Sequence, residues 1–432
     1  MNILILLQSL WIVLIIFLSF YRFKYGLASY LLYMMLVPYM QIRIGGITLQ
    51  WNFVNVIILT AFVKECINKK YKVSWRPFTP FVLYFLFFLL LMLFQGDVPF
   101  SYAINRWRLD AMNVLVVPFL LWNVINRFPS TLKLYRNTMI IAISIASLYG
   151  LFLTTMPGLN PYVDILSAFN GAEFNETYAA AEDTGRLFGR ISSVYIHPMT
   201  FGLVLGLGLI YIYRTRDYQN KYLTYGLAAT IILDILFCGV RTVIAAICIA
   251  AAYFFMIGRR YKLMFGVLLI VVFATLILPS IPGLDSYLGS LMDLQGKSDA
   301  VQGSSLEMRI IQFNGCIKEI QNCPFFGKGY NWNGFYKVMH GDHPIILAFE
   351  SLIFMIVCNS GLVGFCFWIF FILYIHKTAQ RTCSNNLVLL DSLLVFYVSY
   401  SIITGDYGYM AKYVLFYILI LAENKKNIHY EK

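Results

Sequence analysis

Continuous apolar runs long enough to cross a bilayer recur from one end of this chain to the other. That recurrence limits the architecture before any single residue does. A helical span needs about 20 mostly apolar residues. Lipid offers no partner for backbone N–H and C=O groups, so only α-helices and closed β-barrels cross it. The runs here are unbroken rather than alternating, which selects helices. Composition agrees. Of the 432 residues, 60% are hydrophobic and 12% charged, against about 25% charged in a soluble domain. The expected fold is an all-α integral membrane protein.

Spans are expected over 3–21, 26–41, 50–66, 78–95, 112–126, 137–155, 197–213, 222–239, 241–258, 262–280, 344–376, 387–403 and 408–423. They form one polytopic membrane domain of about 12–13 transmembrane helices. The opening stretch "MNILILLQSLWIVLIIFLSFYRFK" lacks a basic leader region and a small-residue cleavage site, and reads as a retained helix. The run from Leu223 to Ile257 would be about 50 Å long as one helix, too long for a hydrocarbon core of about 30 Å. It must turn near "FCGVRTV", which brings Arg241 to a membrane surface.

Alternate connections collect the basic residues: Arg22 and Lys24; Lys64, Lys69, Lys70, Lys72 and Arg76; Arg127, Lys133 and Arg136; Arg214, Arg216 and Lys221; Arg259, Arg260 and Lys262; Lys377 and Arg381; Lys425, Lys426 and Lys432. The positive-inside rule makes that side the cytoplasm. The net charge of +12 then belongs to cytoplasmic loops, and no nucleic-acid motif accompanies it. Two long connections, 156–196 and 281–343, face outward. No internal repeat of the kind transporters carry is visible. Most cysteines lie in apolar runs as packing residues; Cys316 and Cys323, in an outer loop, could bridge in an oxidising compartment. No CxxC or Cys/His spacing suggests a structural metal, and no cofactor is expected.

The outer connections hold arginines that the sidedness rule does not explain: Arg106, Arg108, Arg186, Arg190, Arg241 and Arg309. Arginine is a permanently charged planar fork suited to phosphate. Either an anionic ligand at the outer face or lipid-headgroup contact accounts for the cluster. Asp234 lies seven residues before Arg241, two helical turns along one face, as a potential counter-ion. "RLFGRISSVYIHPMTFG" brings two arginines and His197 to a helix start, with Pro198 in its first turn. There His197 either favours an anion at the helix N-terminus or simply caps it. "LEMRIIQFNGCIKEIQNCPFFGKGY" reads as an amphipathic helix from Leu306 to Ile320 carrying Arg309, ended by Pro324, Gly327 and Gly329.

The stretch after it gathers His340, Asp342, His343 and Glu350 at the mouth of an apolar run. If helical, His343 and Glu350 would share one face about 10 Å apart. Histidine is a base near neutral pH; a carboxylate below the membrane surface has its pKa raised unless an arginine pairs with it. Both suit proton abstraction from a sugar hydroxyl. Metal binding by His340, Asp342 and His343 is the minor reading. Gly361 and Gly364 downstream let helices approach closely.

The segments "GRISSVYIHPMTFG", "GVRTVIAA" and "MRIIQFNGCIKEIQNCPFFGKGY…HP…ESLIFMIVCNSGLVG" together resemble the O-antigen polymerase and O-antigen ligase superfamily. Members carry a His-Pro at a mid-chain helix start, an arginine at an outer turn, and a large outer loop with P-x-x-G-x-G before a G-x-x-G helix. The resemblance covers about residues 186–364 and rests on motif order more than on any one motif. It implies a metal-independent GT-C-type glycosyltransferase of the bacterial cytoplasmic membrane, its site facing outward. The donor would be a glycan on undecaprenyl pyrophosphate. The acceptor would be a second lipid-linked repeat unit for a polymerase, or lipid A-core for a ligase. Arg241 would hold the pyrophosphate with Arg309, Arg190, Arg186 and His197 nearby, and His343 or Glu350 would deprotonate the acceptor. A chain-length regulator is a candidate partner. Ligases carry His-Asn where this chain has Glu350, which favours the polymerase. A transporter of lipid-linked oligosaccharide is the alternative from another class.

Overall fold

The computed structural model describes residues 3–37, 42–44, 47–49, 51–70, 72–156, 159–160, 191–195, 197–266, 269, 306–347, 349–383, 386–406 and 408–430. In chain order the main elements are α1 (Ile3–Tyr21), α2 (Phe23–Leu36), β1 (Ile42–Ile44), β2 (Ile47–Leu49), α3 (Trp51–Lys69), α4 (Thr79–Leu91), α5 (Phe100–Arg127) and α6 (Thr131–Thr155). They continue with α7 (Pro198–Thr215), α8 (Lys221–Phe237), α9 (Arg241–Ile257), α10 (Leu306–Glu319), α11 (Trp332–His340), α12 (Leu352–Thr382), α13 (Leu387–Thr404) and α14 (Tyr409–Tyr430). The described residues are all-helical in their regular structure apart from the short antiparallel β1–β2 hairpin, in which Arg43 pairs with Thr48.

Six helical stretches among the described residues are long and apolar enough to cross a membrane: Arg76–Phe94, Phe100–Arg127, Thr131–Thr155, Pro198–Tyr218, Leu352–Thr382 and Leu387–Thr404. Leu6–Tyr21 and Arg241–Ile257 are shorter apolar helices. The span expected at 262–280 falls mostly outside the described residues. Leu10, Val13 and Phe17 on α1 and Leu362 and Leu373 on α12 are exposed, an apolar surface far larger than a soluble protein tolerates. It faces lipid.

The centre of the bundle is α14. From Tyr413 to Ala422 every residue is buried, as befits a helix apolar on all sides. It packs against α5, α7 and α13. Close approach depends on small residues on α7. A side chain at Gly202 would run into Val243 of α9, and one at Gly206 into the ring of Phe396 of α13. This is a small-xxx-small stripe in use.

One expected turn holds and two expected boundaries move. The turn between α8 and α9 lies at Cys238–Val240, with Gly239 in the left-handed region at φ 64°, so the Leu223–Ile257 run does split. Asp234 therefore sits on α8 and Arg241 on α9, not on one helical face. Asp234 is fully buried and accepts a hydrogen bond from Ser147 of α6. Helix α5 starts at Phe100, a dozen residues before the expected span. Arg106 and Arg108 thus stand on a helix rather than in a connection. Helix α12 starts at Leu352, capped by the Ser351 hydroxyl, which accepts from the Ile353 amide at 3.3 Å. His343 and Glu350 precede it and share no helical face. Cys316 and Cys323 are both free; Cys316 is instead buried in the same apolar cluster as Cys358 of α12.

Candidate active site

Helix α12 is broken. Gly361 takes φ 59°, ψ −158° inside it, so the i to i−4 ladder fails there. In lipid each freed backbone group needs a partner, and the Pro324–Gly329 loop supplies them. The Leu362 and Val363 amides donate to the Pro324 and Phe325 carbonyls at 2.9 and 3.0 Å. The Lys328 and Gly329 amides donate to the Cys358 and Asn359 carbonyls at 2.9 and 3.1 Å. The Gln95 side chain donates to the Asn359 carbonyl at 2.8 Å. Glycine is required on both sides of this splice. A Cβ at Gly361 would lie 2.6 Å from the Pro324 oxygen, and one at Gly327, 2.5 Å from the Ser360 nitrogen. The P-x-x-G-x-G element is thus a backbone plug in a discontinuous helix.

Beside the splice lies a cavity of about 360 Å³. Its polar lining includes Arg106 and Asp110 of α5, Tyr330 and Asn333 of the plug region, Asn359 of α12, and Asp406 and Lys412 at the start of α14. Tyr84, Phe85 and Phe88 supply aromatic wall. Asp110 accepts from Arg106 Nε at 3.2 Å and from the Tyr330 hydroxyl at 3.1 Å. Burial, with the Asp110 charge beside it, pushes the Tyr330 phenol well above its usual range, so it stays a proton donor. Asp406 accepts from the Tyr397 hydroxyl at 2.5 Å and from the Tyr409 and Met410 amides at 2.6 and 3.2 Å, capping α14. Burial raises its carboxyl pKa against the pull of those donors. Lys412 donates to the Met34 carbonyl at 3.2 Å and has no ion-pair partner among the described residues. Two cations face two carboxylates here, with amides and aromatic rings between. Such a lining suits a neutral, polyhydroxylated ligand: carboxylates and amides meet hydroxyls, and rings pack on C–H faces.

The residues expected from sequence fall into separate groups. Arg309 donates to the Glu350 carbonyl, and its guanidinium also stands 3.5 Å from the Glu350 carboxylate. The structure therefore brings these two together, two residues before cavity-lining Leu352. His343 is 3% exposed. Its Nδ1 accepts from the Ile345 and Ile346 amides, each at 3.1 Å, and its Nε2 lies 3.3 Å from Glu319. Leu347 and Phe349, both at positive φ, tighten the turn that follows. Glu319 also takes Lys328 Nζ at 2.6 Å. Burial alone would raise the Glu319 carboxyl, but Lys328 and then His343 outweigh it and carry the pKa below the usual value. Asp342 pairs with Lys337 at 3.0 Å, whereas His340 and His343 both pack on Tyr336, so Asp342 turns to a different partner from the two histidines. His197 caps α7, its Nδ1 accepting from the Met199 amide at 3.1 Å. Arg241 opens α9. Arg186 and Arg190 lie outside the described residues.

Sequence reasoning passed over Asp110, Asp406 and Lys412. The signal was present, since an ionisable residue within an apolar run is functional by default. Hydropathy alone leaves Asp110 and Asp406 in the connections between spans and Lys412 inside a plain apolar span.

Residues 226–369 match a family model described as O-antigen ligase. That segment runs from α8 into α12 and contains Arg241, Arg309, His343, Glu350 and the Gly361 break. Asp110, Asp406 and Lys412 lie outside it. No curated protein matches the chain.

Proposed function

We propose that this multi-pass membrane protein, whose residues 226–369 belong to the O-antigen polymerase and ligase superfamily, is a polysaccharide repeat-unit polymerase acting at the outer face of the bacterial cytoplasmic membrane. It transfers a growing glycan from undecaprenyl pyrophosphate to a lipid-linked repeat unit. The observation that carries the reading is the splice. The family segment's own loop plugs a broken membrane helix and walls a cavity whose carboxylates, amides and aromatic rings suit a sugar.

In the proposed reaction the acceptor hydroxyl oxygen attacks the donor's anomeric carbon in line. The bond from that carbon to the pyrophosphate oxygen breaks, and undecaprenyl pyrophosphate leaves with the electron pair. Arg241 and Arg309, with Arg190 and Arg186, neutralise the leaving group as preorganised charge, and His197 lies on the helix start nearby. One base takes the acceptor proton. Glu350 is the better of the two candidates. Its carboxylate is accessible and paired on one side only, by Arg309, whereas both ring nitrogens of His343 are engaged. His343 positions the loop that carries Glu350. Inversion at the anomeric carbon follows from a single displacement.

The second reading is a ligase, which the family description itself names. Surface-polysaccharide profiles of a deletion strain complemented with wild type, Arg241→Ala or Glu350→Gln separate the two. A polymerase leaves core plus one repeat in the deletion strain, unrescued by either variant at equal expression. A ligase leaves long chains on undecaprenyl pyrophosphate and bare core. An unchanged ladder sinks both for that glycan.

A further inference from the structure

At the opposite end of α14 from Lys412, three side chains form a buried cluster of odd charge. Arg136 grips Glu423 with two hydrogen bonds, Nε to Oε1 at 2.7 Å and Nη2 to Oε2 at 2.9 Å. Arg214 is 6% exposed, yet the groups it reaches are neutral: Asn424 Oδ1 at 2.7 Å and the Glu423 carbonyl at 3.0 Å. The Tyr218 ring sits under both guanidiniums, at 4.0 and 5.8 Å. Two buried arginines thus share one carboxylate, and that carboxylate is fully used by Arg136. A buried charge without a counter-charge is strongly unfavourable. The Asn424 side-chain amide in the same cluster is also buried and has no acceptor among the described residues.

Arg214 lines a second pocket, of about 280 Å³, between the ends of α7 and α9 and the start of α13. Arg216 and Arg260 line it too. Each guanidinium lies over an aromatic ring, Arg216 on Tyr213 at 4.4 Å and Arg260 on Phe254 at 4.8 Å. Arg260 also donates to the Tyr213 hydroxyl. The carboxylate lining this pocket is Asp217, 75% exposed and 3.5 Å from Arg216. Three cations against one solvated anion leave the pocket positive. Asn386 offers no side-chain cap to α13 at its edge.

We propose that this pocket is a phosphate site, and that the anion it takes completes the charge of the Arg136–Arg214–Glu423 cluster. A phospholipid headgroup is the favoured source. Exposed Met256, Ile257 and Tyr261 carry the lipid-facing surface to the pocket edge, so an acyl chain can continue along α9. Free phosphate has the same chemistry. The site is independent of the glycosyl-transfer reading.

Native mass spectrometry of the full chain, released from nanodiscs of mixed phosphatidylglycerol and phosphatidylcholine, tests it. The comparison is wild type against an Arg216→Gln/Arg260→Gln double variant; both positions are exposed, so the fold is retained. Wild type should keep phosphatidylglycerol over phosphatidylcholine. The double variant should lose that preference by about tenfold, the loss of roughly one charge-assisted hydrogen bond. If inorganic phosphate raises the melting temperature of wild type but not of the variant, with no lipid preference in either, the source is free phosphate. Wild type and variant alike toward both probes would overturn the site. Should the double variant fail to fold, Arg260→Gln alone gives the same comparison.

Discussion

The two ends of α14 hold charge inside a membrane bundle in opposite ways. At Glu423 both carboxylate oxygens are taken by one guanidinium, and the residue is fully buried. At the other end, eleven residues or about 16 Å away, Lys412 makes one hydrogen bond, to a carbonyl, and opens onto a cavity. The cavity charges balance in number, yet each keeps unused donors or acceptors. Saturation marks a clamp; spare capacity facing a void marks a binding site. The Arg214 pocket lies between the two cases, since its anchors are saturated but its charge is not.

Breaking the clamp should have the largest effect on stability. Glu423→Gln leaves two buried guanidiniums with no carboxylate and is expected to cost about 3–5 kcal/mol. The readout is the melting temperature and the monodisperse yield of detergent-solubilised protein. Gly361→Ala comes next. It forces a side chain into the left-handed region and against the Pro324 oxygen 2.6 Å away, at about 1–3 kcal/mol. It should also abolish chain extension, because the plug cannot seat. Lys412→Met reverses the pattern. It should leave the melting temperature nearly unchanged while glycan extension falls about tenfold, the scale of one lost charge-assisted hydrogen bond to a sugar hydroxyl. If Lys412→Met destabilised the protein as much as Glu423→Gln, the cavity would be another structural clamp and the distinction between the two ends would collapse.

How far the sequence announces these features depends on the range of the interaction involved. The helical bundle follows from apolar runs, because the bilayer imposes a local length and a local pattern. The α8–α9 turn was legible for the same reason, since no single span could be that long. The cavity was not, because its walls come from positions as far apart as Met34, Asp110, Tyr330 and Lys412, and no local pattern links them. Arg106 stands out in the sequence as an outer arginine but Asp110 does not; an i, i+4 pair on a helix looks like a solvated connection when only hydropathy is followed. The Arg309–Glu350 pairing needed only the idea that a carboxylate at a membrane surface seeks an arginine. That His343 is locked by two amides needed the left-handed turn at Leu347 and Phe349, which no glycine announces. The β1–β2 hairpin, in "IRIGGITL", falls in the short connection between the expected spans 26–41 and 50–66, where apolar continuity carries no signal for a strand.

The smallest expected effect sharpens the comparison from a third region, the outer loop. Glu319 ties α10 to Lys328 and His343. The folded state holds its carboxyl pKa below the usual value. Unfolded, it titrates near about 4.3. The sign follows: the stabilisation is complete above the unfolded value and is lost as pH falls through the folded one. The Lys328–Glu319 pair is only partly buried, 19% and 29% exposed, so solvent screening limits it to about 1 kcal/mol. Amide exchange in 320–343 should therefore speed up only below about pH 4, and Lys328→Gln should remove most of that dependence. Exchange elsewhere, including the Glu423 end of α14, should not follow it. A pH response of equal size in Lys328→Gln would mean that another acid docks the loop, and Glu319 would lose its place as the link between the plug and the His343 turn.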